Sequence, residues 1–90
     1  MTIQFPDRPD AWYDVVNHTI AFPVLVDDQP MSCIVTAAGL MHRFEGRTLS
    51  TPMEARAVYE EHKDTLRRLA EVVIRGRAAP RRGEEFVIRL

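Results

Sequence analysis

The sequence is short of the features that mark several classes of protein. It contains one cysteine, Cys33, in 90 residues, so no internal disulfide can form and the disulfide-rich secreted class is excluded. Its longest apolar run, residues 20–26, is far shorter than the roughly 20 residues that a membrane-spanning helix needs. The first seven residues have neither a basic segment nor a long apolar run, so we expect no signal peptide. These absences favour a single cytoplasmic domain over residues 1–90.

No catalytic triad, phosphate-binding loop or metal-ligand cluster can be read in the sequence. Cys33, His18, His42 and His62 are metal-ligating residue types, but no pair of them has the close spacing of a zinc site. Cys33 lies between apolar neighbours, a pattern typical of a small buried hydrophobe. We therefore predict no enzymatic activity, no cofactor and no metal. The competing hypothesis of an enzyme requires a pocket with polar groups around Cys33 and His62.

The spacing of apolar residues predicts an α+β fold. Alternating apolar residues predict a short strand or extended arm near residues 3–5 and strands over 12–16, 19–26, 31–36 and 85–90. The segment Asp27–Pro30 predicts the turn of an antiparallel hairpin. Pro23 lacks a backbone N–H, which predicts a sheet edge or a bulge at that position. Thr36 is a suitable N-cap for a short helix, within which Gly39 is unfavourable.

A long amphipathic helix is predicted over residues 52–75. Thr51 and Glu54 form a capping-box pattern around Pro52, and Gly76 predicts a left-handed C-terminal cap. Residues at three- and four-residue spacings form one apolar stripe: Ala55, Val58, Tyr59, His62, Leu66, Leu69, Ala70 and Val73. Since the stripe keeps its phase, we predict one continuous helix, followed by a loop over residues 78–83. The predicted architecture is a small antiparallel sheet with the short helix and this long helix packed on one face.

The order of several features along the chain resembles one bacterial family. These features are Ile3, Phe5, Trp12, Phe22, the hairpin into Cys33, Leu40, Tyr59 four residues before Lys63, Leu66, Ala70 and a closing strand through Ile88. In this order they resemble the small proteins grouped as domain of unknown function 1488. The chain differs in having Asp28–Pro30 where the turn would commonly hold glycine. The resemblance implies a compact α+β fold in a bacterial cytoplasm, and it implies no activity, cofactor or catalytic residue.

Arginines dominate the later part of the chain. Between residues 67 and 82 six arginines face a single acidic residue, although the net charge of the whole chain is −1. The favoured interpretation is a non-enzymatic homodimerising or partner-binding module, because a small core and an overhanging helix would leave Val72 and Ile74 without cover. Its candidate interaction residues are Val72, Ile74, Arg75, Arg77, Arg81 and Arg82. The alternative is a nucleic-acid-binding accessory or regulatory protein that uses Arg67, Arg75, Arg77, Arg81 and Arg82.

Overall fold

The computed structural model describes residues 1–77 and 80–90, and this part of the chain is an α+β fold, as predicted. The first two residues of the predicted loop over 78–83 lie outside the described residues. The elements follow in the order β1 (Ile3–Gln4), β2 (Trp12–Asp14), β3 (Thr19–Val26), β4 (Gln29–Thr36), α1 (Ala37–Glu45), α2 (Pro52–Glu61), α3 (Lys63–Arg75) and β5 (Glu85–Val87).

The predicted hairpin is formed by β3 and β4. Asp27 and Asp28 have φ angles of 50° and 66°, and Val26 pairs directly with Gln29, so the turn has two residues. Positive φ at both central positions is the geometry of tight hairpin turns, and aspartate tolerates it better than most residues with a side chain. The turn is therefore shorter than predicted, and Pro30 belongs to β4.

The sheet is mixed, which corrects the prediction of an antiparallel sheet. β1 and β2 pair antiparallel with opposite ends of β3, whereas β5 runs parallel to β4 with Val87 beside Ile34. The chain between β4 and β5 contains all three helices of the described residues. A crossover of this length returns the chain to the end of the sheet where β4 began, and parallel pairing requires such a crossover.

Pro23 lies at a local gap in the sheet. β1 pairs with Leu25 and Val26, and β2 pairs with residues 19–21, so residues 22–24 have no strand partner on that side. A residue without a backbone N–H is tolerated there because the position is locally an edge. The prediction of an edge at Pro23 is therefore confirmed, although β3 is a central strand along most of its length.

The hydrophobic core lies between one face of the sheet and the three helices. From the strands it takes Ile20, Phe22, Val24, Val26, Met31, Cys33, Val35 and Phe86, and from the helices Leu40, Met41, Ala55, Val58, Tyr59, Leu66, Ala70 and Ile74. Each of these side chains is less than 9% exposed, and the full burial of one large apolar side chain contributes about 1.5–3 kcal/mol. The helices are therefore held on the sheet by their apolar faces.

The predicted long helix is interrupted at His62. This residue has φ −111° and ψ 19°, and its amide is shared between the carbonyl oxygens of Val58 at 3.0 Å and Tyr59 at 3.2 Å. Its ring stacks on Phe44 of α1, with the centroids 3.9 Å apart. The prediction of one continuous helix is therefore wrong. The apolar residues keep their spacing on both sides of His62, but the helical backbone is interrupted there.

Two further predictions about the end of this segment are corrected. Ile74 is completely buried, because the buried positions of α3 follow four-residue steps from Leu66 through Ala70, and the end of α3 contacts β5. Gly76 ends the helix where predicted, but with φ −76° and not in the left-handed region. Ile74 therefore does not overhang the fold and offers no surface to a partner. Val72, by contrast, is 71% exposed, as predicted.

Candidate functional site

Most of the predicted arginine cluster is neutralised by nearby carboxylates. Arg75 pairs with Glu71 at 2.9 Å and Arg77 with Glu84 at 3.0 Å. Arg67 contacts Asp7, far away in the sequence, at 3.3 Å. Arg81 and Arg82 are exposed in the turn that precedes β5. Three of the five arginines proposed for nucleic-acid binding thus have an acidic partner, which weakens the electrostatic argument for a polyanion site.

Cys33 is sealed in the core and is not available as a nucleophile. Its side chain has 0% exposure, and burial raises the pKa of the thiol to about 12. Only the thiolate is an effective nucleophile, so this group is inert near neutral pH. The ring of His62 is stacked on Phe44 and is not beside an exposed sulfur. The described residues therefore do not form the exposed pocket around Cys33 and His62 that the enzyme hypothesis requires.

The face of the sheet that points away from the helices carries an apolar row across four strands. Trp12 pairs with Ala21, Ala21 with Ile34, and Ile34 with Val87. Because paired residues point to the same side of a sheet, these four side chains lie next to one another. We call this row, Trp12–Ala21–Ile34–Val87, the bare row, since no helix of the described residues covers it.

Water reaches both ends of the bare row. Trp12 is 44% exposed and Val87 is 57% exposed, whereas Ala21 is buried between larger neighbours. A parallel row on one side of it consists of Asp14, Thr19 and Thr36, and the row on the other side contains Pro23, Ser32 and Glu85. The result is an apolar band with polar borders, which is typical of an interaction surface.

A small cleft lies where the β1–β2 connection crosses the gap in the sheet at Pro23. Its volume is about 140 Å³. The connection contributes one wall and α2 and α3 contribute the other, with lining residues Pro6, Asp7, Pro9, Asp10, Ala11, Pro23, Tyr59, Glu60, Lys63 and Arg67. We call this the Arg67 cleft. It brings the β1–β2 connection together with α2 and α3, which are distant in the sequence, and no sequence pattern predicted this.

Arg67 is a residue of this cleft whose hydrogen-bond donors are not all paired. Its Nη2 atom donates to Asp7 Oδ1 at 3.3 Å, and its guanidinium carbon lies 5.8 Å from the centre of the Phe5 ring. The Nε atom is buried and has no hydrogen-bond partner among the described residues. The Arg67 side chain is only 22% exposed, whereas that of Asp7 is 83% exposed. The cation is thus held in place by packing, while its acidic partner lies in solvent.

Two ion pairs and a phenol complete the cleft. Lys63 lies 3.6 Å from Glu60, and Arg56, just outside the cleft, lies 4.0 Å from Asp10. Burial raises the pKa of Tyr59 to about 12, so its hydroxyl stays protonated and can donate a hydrogen bond. The cleft therefore combines cationic and hydroxyl donors with acidic groups that are already balanced by cations.

Comparison with known proteins places this fold in a family. The family described as "Protein of unknown function (DUF1488)" matches residues 3–84. The chain is 33% identical over 72 residues to "Uncharacterized protein YrdB" of Escherichia coli (strain K12), covering 80% of this chain and 79% of that protein. The protein of the same description from Shigella flexneri is 32% identical, with the same coverage.

A solved structure has the same fold. The crystal structure of a protein of unknown function from the DUF1488 family of Shewanella loihica PV-4 superposes with a TM-score of 0.76 at 21% identity, covering 97% of this chain and 92% of that chain. The described residues thus define a small α+β protein whose helices pack on one face of the sheet. The chain belongs to the DUF1488 family, which confirms the resemblance. Within residues 1–77 and 80–90, none of the helices has the length and apolar character to cross a membrane.

Proposed function

We propose that this protein is a non-enzymatic homodimerising module in which the bare rows of two copies pack against each other. The observation that carries the proposal is the cross-strand row of apolar residues with helices on the opposite face of the sheet only. Two sheets that pack face to face lie about 10 Å apart and interdigitate their side chains. A second copy would supply the layer that the described residues lack.

The bare row is complementary to itself. A two-fold axis parallel to β3 reverses the order of the strands, so Trp12 of one copy faces Val87 of the other. The same rotation places Ala21 opposite Ile34. In both pairs a larger side chain meets a smaller one, which favours close packing over an arrangement that stacks identical residues.

The charges at the border follow the same symmetry. Arg89 is exposed and lies two residues after Val87, so its side chain points to the same face of the sheet. It lies next to the row that ends in Asp14. The two-fold axis that pairs Trp12 with Val87 also brings Arg89 of one copy to Asp14 of the other, twice in each dimer. Opposite charges at the border favour this register over a shifted one.

A stable pair needs more of this face than the bare row alone. Each partner in an interface of standard size buries about 800 Å², so the border rows must take part together with the bare row. Every described residue of the bare row is within this face, so the proposal needs no rearrangement of the fold.

The test uses two exposed valines as a matched pair. Val87→Lys places a charge in the bare row, and Val72→Lys places the same charge on the exposed side of α3. We expect Val87→Lys to weaken dimerisation about 30-fold or more, equivalent to about 2 kcal/mol, and Val72→Lys to leave it unchanged. Sedimentation equilibrium measures the dissociation constant. The emission of Trp12, the sole tryptophan, should shift to shorter wavelength as the dimer forms.

Two results would overturn the proposal. One is a wild-type protein that remains monomeric at high micromolar concentration. The other is a dimer that Val87→Lys and Val72→Lys affect equally, because the interface would then lie elsewhere. If the protein is a monomer that binds a different protein through Trp12 and Val87, that protein, and not a second copy, covers the face.

Nucleic-acid binding remains the second candidate because Arg81 and Arg82 are exposed and adjacent. A gel shift over a salt series tests it. Salt-sensitive binding that is weakened in the double variant Arg81→Ala with Arg82→Ala would support it, and absence of binding at low salt would end it.

A further inference from the structure

We propose that the Arg67 cleft binds a small ligand that carries a carboxylate, and that Asp7 occupies this position when the ligand is absent. The proposal goes beyond dimerisation and is independent of it, because no residue of the bare row lines this cleft. The ligand class is defined by the guanidinium edge that the cleft presents.

The geometry of Arg67 suits a bidentate carboxylate. The Nε–H and Nη2–H bonds of a guanidinium point the same way and match the two oxygens of one carboxylate. In this structure Asp7 engages Nη2 alone, at the long distance of 3.3 Å, and Nε is left buried without a partner. A buried donor without an acceptor is unfavourable, so a carboxylate that reaches both nitrogens is a better partner than Asp7.

Asp7 can leave Arg67 without disturbing the core. Its side chain is 83% exposed and belongs to the connection between β1 and β2. The guanidinium keeps its position without Asp7, since it also lies over the Phe5 ring, which in turn packs 6.4 Å from Phe22. The guanidinium is therefore held by packing, while the internal competitor lies at the surface.

The remaining walls indicate a short ligand. The cleft has a volume of about 140 Å³, which is too small to enclose a nucleotide, and its exposed lining is more polar than apolar. Its proline and alanine side chains leave room for a short aliphatic chain beside the carboxylate. Asp10 and Glu60 already pair with cations, so the ligand class is a small carboxylic acid and needs no ammonium group.

The experiment is a titration of the full-length protein followed by the Nε–Hε resonance of Arg67 in a nitrogen–proton correlation spectrum. Separate titrations at constant ionic strength use propionate, L-alanine and inorganic phosphate. We expect a saturable shift of this resonance with propionate, and with L-alanine at a similar affinity, because Asp10 and Glu60 already have cationic partners. Either carboxylate result supports the proposal.

The variant Asp7→Ala distinguishes an internal competitor from a structural ion pair. Removing Asp7 should tighten propionate binding about three- to fivefold, the change expected when an exposed ion pair no longer competes. The control Asp10→Ala removes a charge from the same connection but not from Arg67, and should change the affinity less than about twofold. Neither variant removes a buried side chain, so both should fold.

Three outcomes would overturn the proposal. They are the absence of a saturable shift with either carboxylate, binding of phosphate alone, and an equal effect of Asp7→Ala and Asp10→Ala, which would indicate only a general change of charge. The monomeric variant Val87→Lys should bind propionate as the wild type does. Failure of the dimer and failure of the cleft can therefore be told apart.

Discussion

The orientation of α3 predicts very different effects for two substitutions only two residues apart. Ile74 is completely buried, whereas Val72 is 71% exposed. Replacing a buried isoleucine by alanine costs about 2–5 kcal/mol, because apolar surface is lost and a cavity remains. With 0% exposure Ile74 should fall in the upper half of that range, so we expect Ile74→Ala to destabilise the protein by about 3–4 kcal/mol. A domain of this size loses about 4–8 °C in Tm for each kcal/mol, so the Tm should fall by at least about 12 °C.

Val72→Ala is the matched control for this experiment. Both substitutions replace a β-branched residue in the same helix, so the gain in helix propensity has the same sign in each. We expect Val72→Ala to change the free energy of unfolding by less than about 0.5 kcal/mol. Urea denaturation at one fixed protein concentration measures both, because dimerisation couples stability to concentration. Equal losses, or a larger loss for Val72→Ala, would refute the burial of Ile74.

Two further predictions concern α1 and the core. A Cβ atom at Gly39 would lie 2.7 Å from Thr36 Oγ1, which caps the helix, so Gly39→Ala should destabilise the protein by about 1 kcal/mol in thermal melts despite the better helix propensity of alanine. The control Gly76→Ala, at φ −76°, should be neutral or stabilising, and a stabilised Gly39→Ala would contradict this reasoning. Cys33 should not react with a thiol reagent unless the protein unfolds. Because burial raises its folded pKa to about 12 from 9.0, its contribution to stability is complete below pH 9.0 and is lost as the pH rises towards 12, which urea titrations across that range measure.

The parts of the fold that were predicted from sequence depend on neighbours within a few residues. The capping box of Thr51 and Glu54 is present as expected, with the Thr51 hydroxyl accepting from the Glu54 amide at 3.2 Å and the Glu54 carboxylate accepting from the Thr51 amide at the same distance. Thr36 likewise caps α1 through the Gly39 amide. Such contacts are encoded in four consecutive positions, so composition at those positions is sufficient to predict them.

The parts that were missed depend on tertiary packing. The interruption at His62 coincides with the stack on Phe44, a residue of another helix, and the apolar spacing of the segment is compatible with either a straight or a broken helix. The parallel direction of β5 depends on the path of the whole crossover, and the apolar alternation of Phe86 and Ile88 is the same for either direction. Local periodicity indicates most of the buried side chains, although it missed Ile74, and it does not fix the direction from which they are covered.

The Arg67 cleft shows the same limit for the candidate site. Asp7 and Arg67 are 60 positions apart in the sequence, and Pro23 lies between them at the gap in the sheet. From the sequence alone Arg67 belongs with the later arginines, because they share a charge and a segment. The fold separates it from them and gives it a partner from the β1–β2 connection.

The bare row, by contrast, has a signal in the sequence itself. Residues 20–22 of β3 and 33–35 of β4 are apolar without interruption, a pattern typical of strands that are buried on both faces. The helices cover only the face of Ile20, Phe22, Cys33 and Val35. Ala21 and Ile34 are therefore apolar residues of the kind found in a core, but they lie on the face that no described helix covers. A strand whose sequence fits burial on both faces, in a fold whose described helices cover one, supports the proposal that a second copy covers the other face.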